Sequence, residues 1–270
     1  MPSIEENRKL WNEEFSWKQQ GDEWSRYWGT TDLQWYATLL PRIHTFVPTP
    51  SILEIAPGFG RWTQYLKNLT QHLSIVDLSE KCIQACQQRF SKDSHISYYV
   101  NNGRSLEMIP DGSIDFVFSF DSLVHAEDEV IESYLKELAC KFTDEGIGFI
   151  HHSNLGSYST YYHYVKKIPA LGKRILAKAG WQDVQDHWRA QSMTAEKFQQ
   201  FAQNAGLCCI RQECVNWGSK RMIDCFSIFT RRGSKWVTPN QIFRNRHFMK
   251  EAATVTQLAQ IYSSQTFGSL

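Results

Sequence analysis

No stretch of the 270 residues holds the run of about eighteen apolar positions that a membrane-spanning helix needs. Net charge is nearly absent too, at +1, so no global field draws the chain to nucleic acid or to an anionic membrane. The opening "MPSIEENRKLWNEEF" lacks the apolar core of a secretory signal, and the cytoplasm is the expected location. No Cys-x-x-Cys pair occurs, and seven cysteines are an odd number. They read as reduced core thiols, with Cys82 and Cys86 on one helix face and Cys208 and Cys209 on opposite faces of a strand. Internal repeats and low-complexity linkers are missing as well. What is present is apolar and aromatic residue, 42% and 14%, enough for one large domain or one domain with appendages.

From Ser51 onward, strand-like and helix-like segments alternate. "SILEIA", "HLSIVDLS", "HISYYVNNG", "SIDFVFSFDSL" and "EGIGFIHHSNL" read as strands. Between them, "RWTQYLKNL" and "EKCIQACQQRF" have helical spacing, and "DEVIESYLKELACKF" places Val130, Tyr134, Leu135 and Leu138 on one side. "TAEKFQQFAQNAGL" predicts a helix capped by Thr194 and stopped at Gly206. Two strands, "CCIRQECVNW" and "MIDCFSIFTRR", then follow around a short turn and must be antiparallel. The expectation is an α/β, Rossmann-like fold, with a mainly parallel seven-stranded sheet, a C-terminal antiparallel hairpin and helices on both faces. Residues 51–233 form that core, and 155–190 interrupt it as an inserted lid or substrate segment. Residues 1–50 make an aromatic-rich helical cap, and 234–270 a basic helical tail with a helix over "FMKEAATVTQLAQIY".

The strand "SILEIA" enters a turn at Gly58-Phe59-Gly60, where glycine permits positive φ and close approach of a ligand. A dinucleotide site would want a third glycine, and Thr63 stands there, behind Trp62. The second strand ends in Asp77, seventeen residues past Gly60, where a carboxylate accepts hydrogen bonds from ribose hydroxyls. Asn101 and Asn102 close the third strand and Asp121 follows the fourth, so polar residues gather at the C-terminal strand ends.

The order "LEIAPGFGRWT", "IVDLS", "NNG", "IDFVFSFDSLVH" and a closing hairpin resembles a class I S-adenosylmethionine-dependent methyltransferase, over about Ser51 to Arg232. That resemblance implies the cofactor S-adenosylmethionine, with S-adenosylhomocysteine as product. It places Glu54, Ala56, Gly58 and Gly60 along the methionine part, and Asp77 and Leu78 at the ribose. Asn102 and Gly103 then lie beside the adenine, and Phe120 completes the cofactor wall. Asn102 stands where the family often has aspartate, and Pro57 where many members have a small residue. The chemistry agrees, since this cofactor has no phosphate and asks for no third glycine.

Transfer to an alcohol needs a base, and His125, His151 and His152 follow the fourth and fifth strands. His152 leads, with His125 and Asp121 beside it as catalytic candidates; on an extended strand at most one of His151 and His152 faces the site. Asp121, His125, Glu127 and Asp128 could also hold a divalent metal, an alternative the pattern does not favour over a helix start. "FSFDSLVHAE", "GFIHHSNLG" and "RYWG" are similar to bacterial polysaccharide and glycoside O-methyltransferases. That similarity implies a sugar hydroxyl, free or in a glycan, as acceptor. The tryptophans suit sugar faces, and Trp181, His187, Trp188 and Arg189 would close the lid, unless they simply pack. Other O- or N-methylation of a small molecule, a nicotinamide oxidoreductase and a non-catalytic cofactor-binding partner subunit stay open. Nucleic-acid methylation is disfavoured by the charge and by the lack of an Asn-Pro-Pro-aromatic motif. Nothing in the sequence fixes an oligomeric state.

Overall fold

The computed structural model describes residues 3–181, 183 and 187–263. The extreme ends of the expected cap and tail, and residues 182 and 184–186 of the expected lid, lie outside them. The sheet contains β1 Thr49–Ile55, β2 Thr70–Asp77, β3 Ile96–Val100, β4 Ile114–Ser119, β5 Phe142–Ser153, β6 Leu207–Val215, β7 Asp224–Arg231 and β8 Gln241–Asn245. Their order is β3-β2-β1-β4-β5-β7-β6-β8. β7 is antiparallel to both neighbours, while every other pairing is parallel. The expected parallel sheet with a terminal hairpin is therefore present, with eight strands rather than seven. The additional strand is β8, inside the segment expected to be helical. It pairs with β6 from Arg211↔Gln241 to Val215↔Asn245.

The helices are α1 Ile4–Lys9, α2 Thr31–Gln34, α3 Leu40–Ile43, α4 Thr63–Leu66, α5 Glu80–Arg89, α6 Asp128–Lys141, α7 Ser159–Lys166, α8 Ala170–Lys178, α9 Ala195–Asn204 and α10 Phe248–Tyr262. Their limits follow local chemistry. Thr194 caps α9 by accepting from the Lys197 N–H at 3.0 Å, and Gly206 ends it at φ +84°. Val130, Tyr134, Leu135 and Leu138 of α6 are all buried, as their spacing predicts.

Two apolar layers flank the sheet. One holds Ile52, Phe116, Phe118, Phe149 and Phe226 against Trp28, Trp35 and Phe248. The other holds Leu53, Val117, Ile150 and Phe229 against α6 and α9 through Leu135, Leu138 and Phe198. Among the described residues no helix is long and apolar enough to cross a membrane. All seven cysteines are unpaired thiols.

Candidate active site

A cavity of about 1100 Å³ opens at the C-terminal ends of β1, β2 and β4. Ligand pockets commonly span about 300–1,000 Å³, so this one stands at the upper end of that range. Its floor is the glycine turn. Gly58 sits at φ +58° and Gly60 at φ +83°, and even Ala56 is left-handed at φ +59°. The turn is tied down on three sides. The Gly58 N–H donates to Asp77 Oδ2 at 3.2 Å, Arg89 donates to the Phe59 carbonyl at 2.9 Å, and Ser122 Oγ donates to the Ala56 carbonyl at 2.8 Å.

Of the expected cofactor residues, Ala56, Gly58, Asp77, Leu78, Gly103 and Phe120 line this cavity. The other three do not. Glu54 lies buried beneath the turn, where Thr63 Oγ1 donates to it at 2.6 Å. Gly60 serves packing, because a Cβ there would come within 2.5 Å of the Phe90 ring. Asn102 is exposed, and its Oδ1 accepts from the Arg104 and Ser105 N–H groups of its own loop. Burial raises the Asp77 carboxyl to about 6, although the Ser79 and Gly58 N–H groups oppose the rise. The Asp77 carboxylate on the cavity wall beside the glycine turn suits the hydroxyls of a nucleoside.

The N-terminal segment roofs the cavity. Trp17 lies flat on Phe59, with ring centroids 4.5 Å apart and planes 10° apart. Trp11, Phe15 and Trp24 continue this wall, whereas Trp28 and Trp35 belong to the core. Across the cavity, His125 packs at a tilt on Trp188, with centroids 4.4 Å apart, and Trp188 stacks on Trp11 at 5.5 Å. Of the inserted segment, His187, Trp188 and Arg189 line the cavity, while Trp181 points to solvent.

The catalytic candidates separate clearly. His152 is fully buried outside the cavity, stacked on Phe198 of α9, with Nδ1 on the Ser153 carbonyl at 2.9 Å and Nε2 on Ser227 Oγ at 2.8 Å. The structure does not bring it to the site, for strand alternation turns it toward α9. His151 faces the other way, and its Nδ1 accepts from the Asp121 N–H at 3.1 Å. Its Nε2 lies 3.5 Å from Asp224, which also takes Arg189 at 2.7 Å. Burial would raise the Asp224 carboxyl, yet Arg189 and His151 hold it down at about 2. Asp121, left-handed at φ +64°, accepts from Arg61 at 2.8 Å.

His125 alone of these three histidines lines the cavity. Burial, and then Arg189, push it down to about 3, so the ring is neutral at ordinary pH. Its buried Nδ1 meets no hydrogen-bond partner among the described residues. The four residues considered for a metal are turned apart. Asp121 pairs with Arg61, Asp128 with Lys197 at 2.7 Å, and Glu127 accepts from Ser192. No group of three His, Cys, Asp or Glu side chains converges among the described residues.

Sequence reading missed Arg61 and Asp224. A basic residue directly after the glycine turn, and a lone acid opening an apolar strand, were the available signals.

Residues 52–146 match the methyltransferase domain family, about a third of the chain. No curated protein matches. Among solved structures, the PH0226 protein of Pyrococcus horikoshii superposes with TM-score 0.55 at 18% identity, covering 83% of this chain and 96% of its own. An S-adenosylmethionine-dependent methyltransferase of Clostridium acetobutylicum gives 0.51 at 11% identity, covering 83% and 96%. One from Methanosarcina mazei gives 0.51 at 14%, covering 72% and 98%. The fold is the Rossmann-like methyltransferase fold, and residues 52–146 are similar to the methyltransferase domain family.

Proposed function

We propose that this protein transfers the methyl group of S-adenosylmethionine to a hydroxyl of a sugar or glycosylated small molecule, in the cytoplasm, with His125 accepting the proton. One observation carries this reading: a single cavity joins the Asp77 and Gly58 wall to an aromatic wall, and His125 stands among the aromatic residues. Ala56, Gly58, Asp77, Leu78, Gly103 and Phe120 would hold the cofactor, which supplies an activated methyl group on a sulfonium.

The chain's own residues supply position and a proton acceptor. Trp11, Trp24 and Trp188 offer flat faces to sugar C–H surfaces, and orientation alone can contribute up to ~7–11 kcal/mol. Neutral His125 can accept the hydroxyl proton as the new bond forms. Burial and Arg189 oppose the positive charge that then develops on its ring, and Asp121 and Asp224 offset part of that opposition. Arg61 holds Asp121 in place, so Asp121 acts in this scheme through His125.

The test uses methyl-labelled cofactor with carbohydrate fractions from the source cells. His125→Ala should lower kcat by roughly 10²–10⁴-fold while leaving adenosylhomocysteine affinity nearly unchanged. Equal kcat removes His125 as the base. Label in a non-carbohydrate molecule replaces the acceptor class. Absence of label with product still bound favours a partner subunit.

A further inference from the structure

Near-neutral total charge conceals a strongly uneven distribution. Residues 153–180 contain Lys166, Lys167, Lys173, Arg174 and Lys178 and not one Asp or Glu. This stretch folds as α7 and α8, followed by Gly180, whose carbonyl accepts from Lys220 Nζ at 3.2 Å.

The helix α8 is anchored by one apolar side, where Leu176 and Ala177 pack on the cluster of Leu155, Tyr162, Val165 and Ile223. That contact leaves a second apolar stripe uncovered by the described residues. Leu171 and Ile175, one turn apart, are 70% and 59% exposed. Tyr164 and Trp181, before and after the helix, are 64% and 55% exposed. Arg174 and Lys178, also one turn apart and exposed, run alongside that stripe. A helix in water needs one apolar face, and a second face flanked by cations and bounded by Tyr and Trp is the pattern of a helix lying in a lipid interface.

We propose that α8 and its flanking residues dock on an anionic lipid surface. Leu171, Ile175 and Trp181 enter the acyl boundary, while the cations meet the headgroups, their aliphatic stems lying along the apolar stripe. Charge complementarity selects lipid over a second copy of this chain, because two such faces would set Arg174 and Lys178 against the same cations of the copy. The same chain segment continues into His187, Trp188 and Arg189 of the cavity wall, so docking would bring the cavity near the membrane surface. The docking stands apart from the methyl-transfer reading, since it is measured without turnover.

The experiment is co-sedimentation of the full chain with vesicles of phosphatidylcholine alone and with a third of phosphatidylglycerol. Pelleting with the anionic vesicles, released by salt of about 0.5 M, is expected. Leu171→Asp with Ile175→Asp should abolish it. Arg174→Ala with Lys178→Ala should weaken it roughly tenfold, with the thermal midpoint and adenosylhomocysteine affinity unchanged. The alanine pair removes only exposed charge, so it tests the idea even if the aspartate pair misfolds. Failure to pellet at low salt overturns the proposal, as does pelleting indifferent to both pairs. A shift from dimer to monomer in the variants, without change on vesicles, overturns it in favour of self-association.

Discussion

Two carboxyls at adjacent strand ends, Glu54 and Asp77, are buried for different ends. Glu54 is sealed under the glycine turn, and desolvation raises it to about 8 despite the Thr63 hydroxyl. Because the folded value lies above the ordinary 4.5, the folded chain keeps a proton that the unfolded chain releases. Stability is therefore fullest below about pH 4.5, falls as pH rises, and has lost this contribution above about 8. Asp77 acts with the same sign over a narrower window, from 3.8 to about 6. Glu54→Gln keeps an acceptor for Thr63 and removes the ionisable group. The wild type should lose stability between about pH 5 and pH 9, by on the order of 4 kcal/mol at most, and the variant should lose much less. Urea unfolding at the two pH values reads this directly. Equal slopes in both proteins would mean that Glu54 ionises freely in the fold.

At the scale of elements, the N-terminal segment is what makes an open sheet edge into a cavity. A Cβ at Gly58 would meet Trp17 at 2.9 Å, and one at Gly103 would meet Ile4 at 2.8 Å, so the segment rests directly on both loops of the cavity wall. Trp17→Ala should raise the adenosylhomocysteine dissociation constant roughly tenfold, while Trp17→Phe should restore most of the affinity. Calorimetric titration decides it, and an unchanged constant in a folded Trp17→Ala would reduce Trp17 to packing. These contacts were not legible beforehand, because they join residues more than forty positions apart. Local signals read better. Spacing located α6 and α9, and the helix expected over "FMKEAATVTQLAQIY" is α10 to its limits. Strand alternation foretold that His151 and His152 part ways, but which face carries the cavity depends on the roof. β8 escaped because four of its five residues are exposed and its sheet partner, β6, lies some thirty residues earlier.

For the molecule as a whole, the tail is a structural member that joins the two ends of the chain. Arg42, just before β1, donates to both oxygens of Glu213 on β6 at 2.7 Å and to Glu251 of α10 at 3.3 Å. Asn245 of β8 bonds the same two carboxylates at 2.8 and 2.7 Å. Phe248, fully buried, fills the space between Trp28 and Trp217, and Thr256 donates to the Tyr27 carbonyl at 3.0 Å. Residues that shape the cavity roof are thus held from behind by the last helix. Phe248→Ala should cost about 3–5 kcal/mol, a large share of a typical 5–15 kcal/mol stability. Deleting residues 234–270 would add a bare edge on β6 and the loss of the Arg42 network, so that shortened chain should aggregate when expressed. Thermal unfolding of Phe248→Ala beside size-exclusion of the shortened chain tests this. A monomeric truncated protein with an unaltered melting temperature would show that the tail is an appendage, and that the roof stands without it.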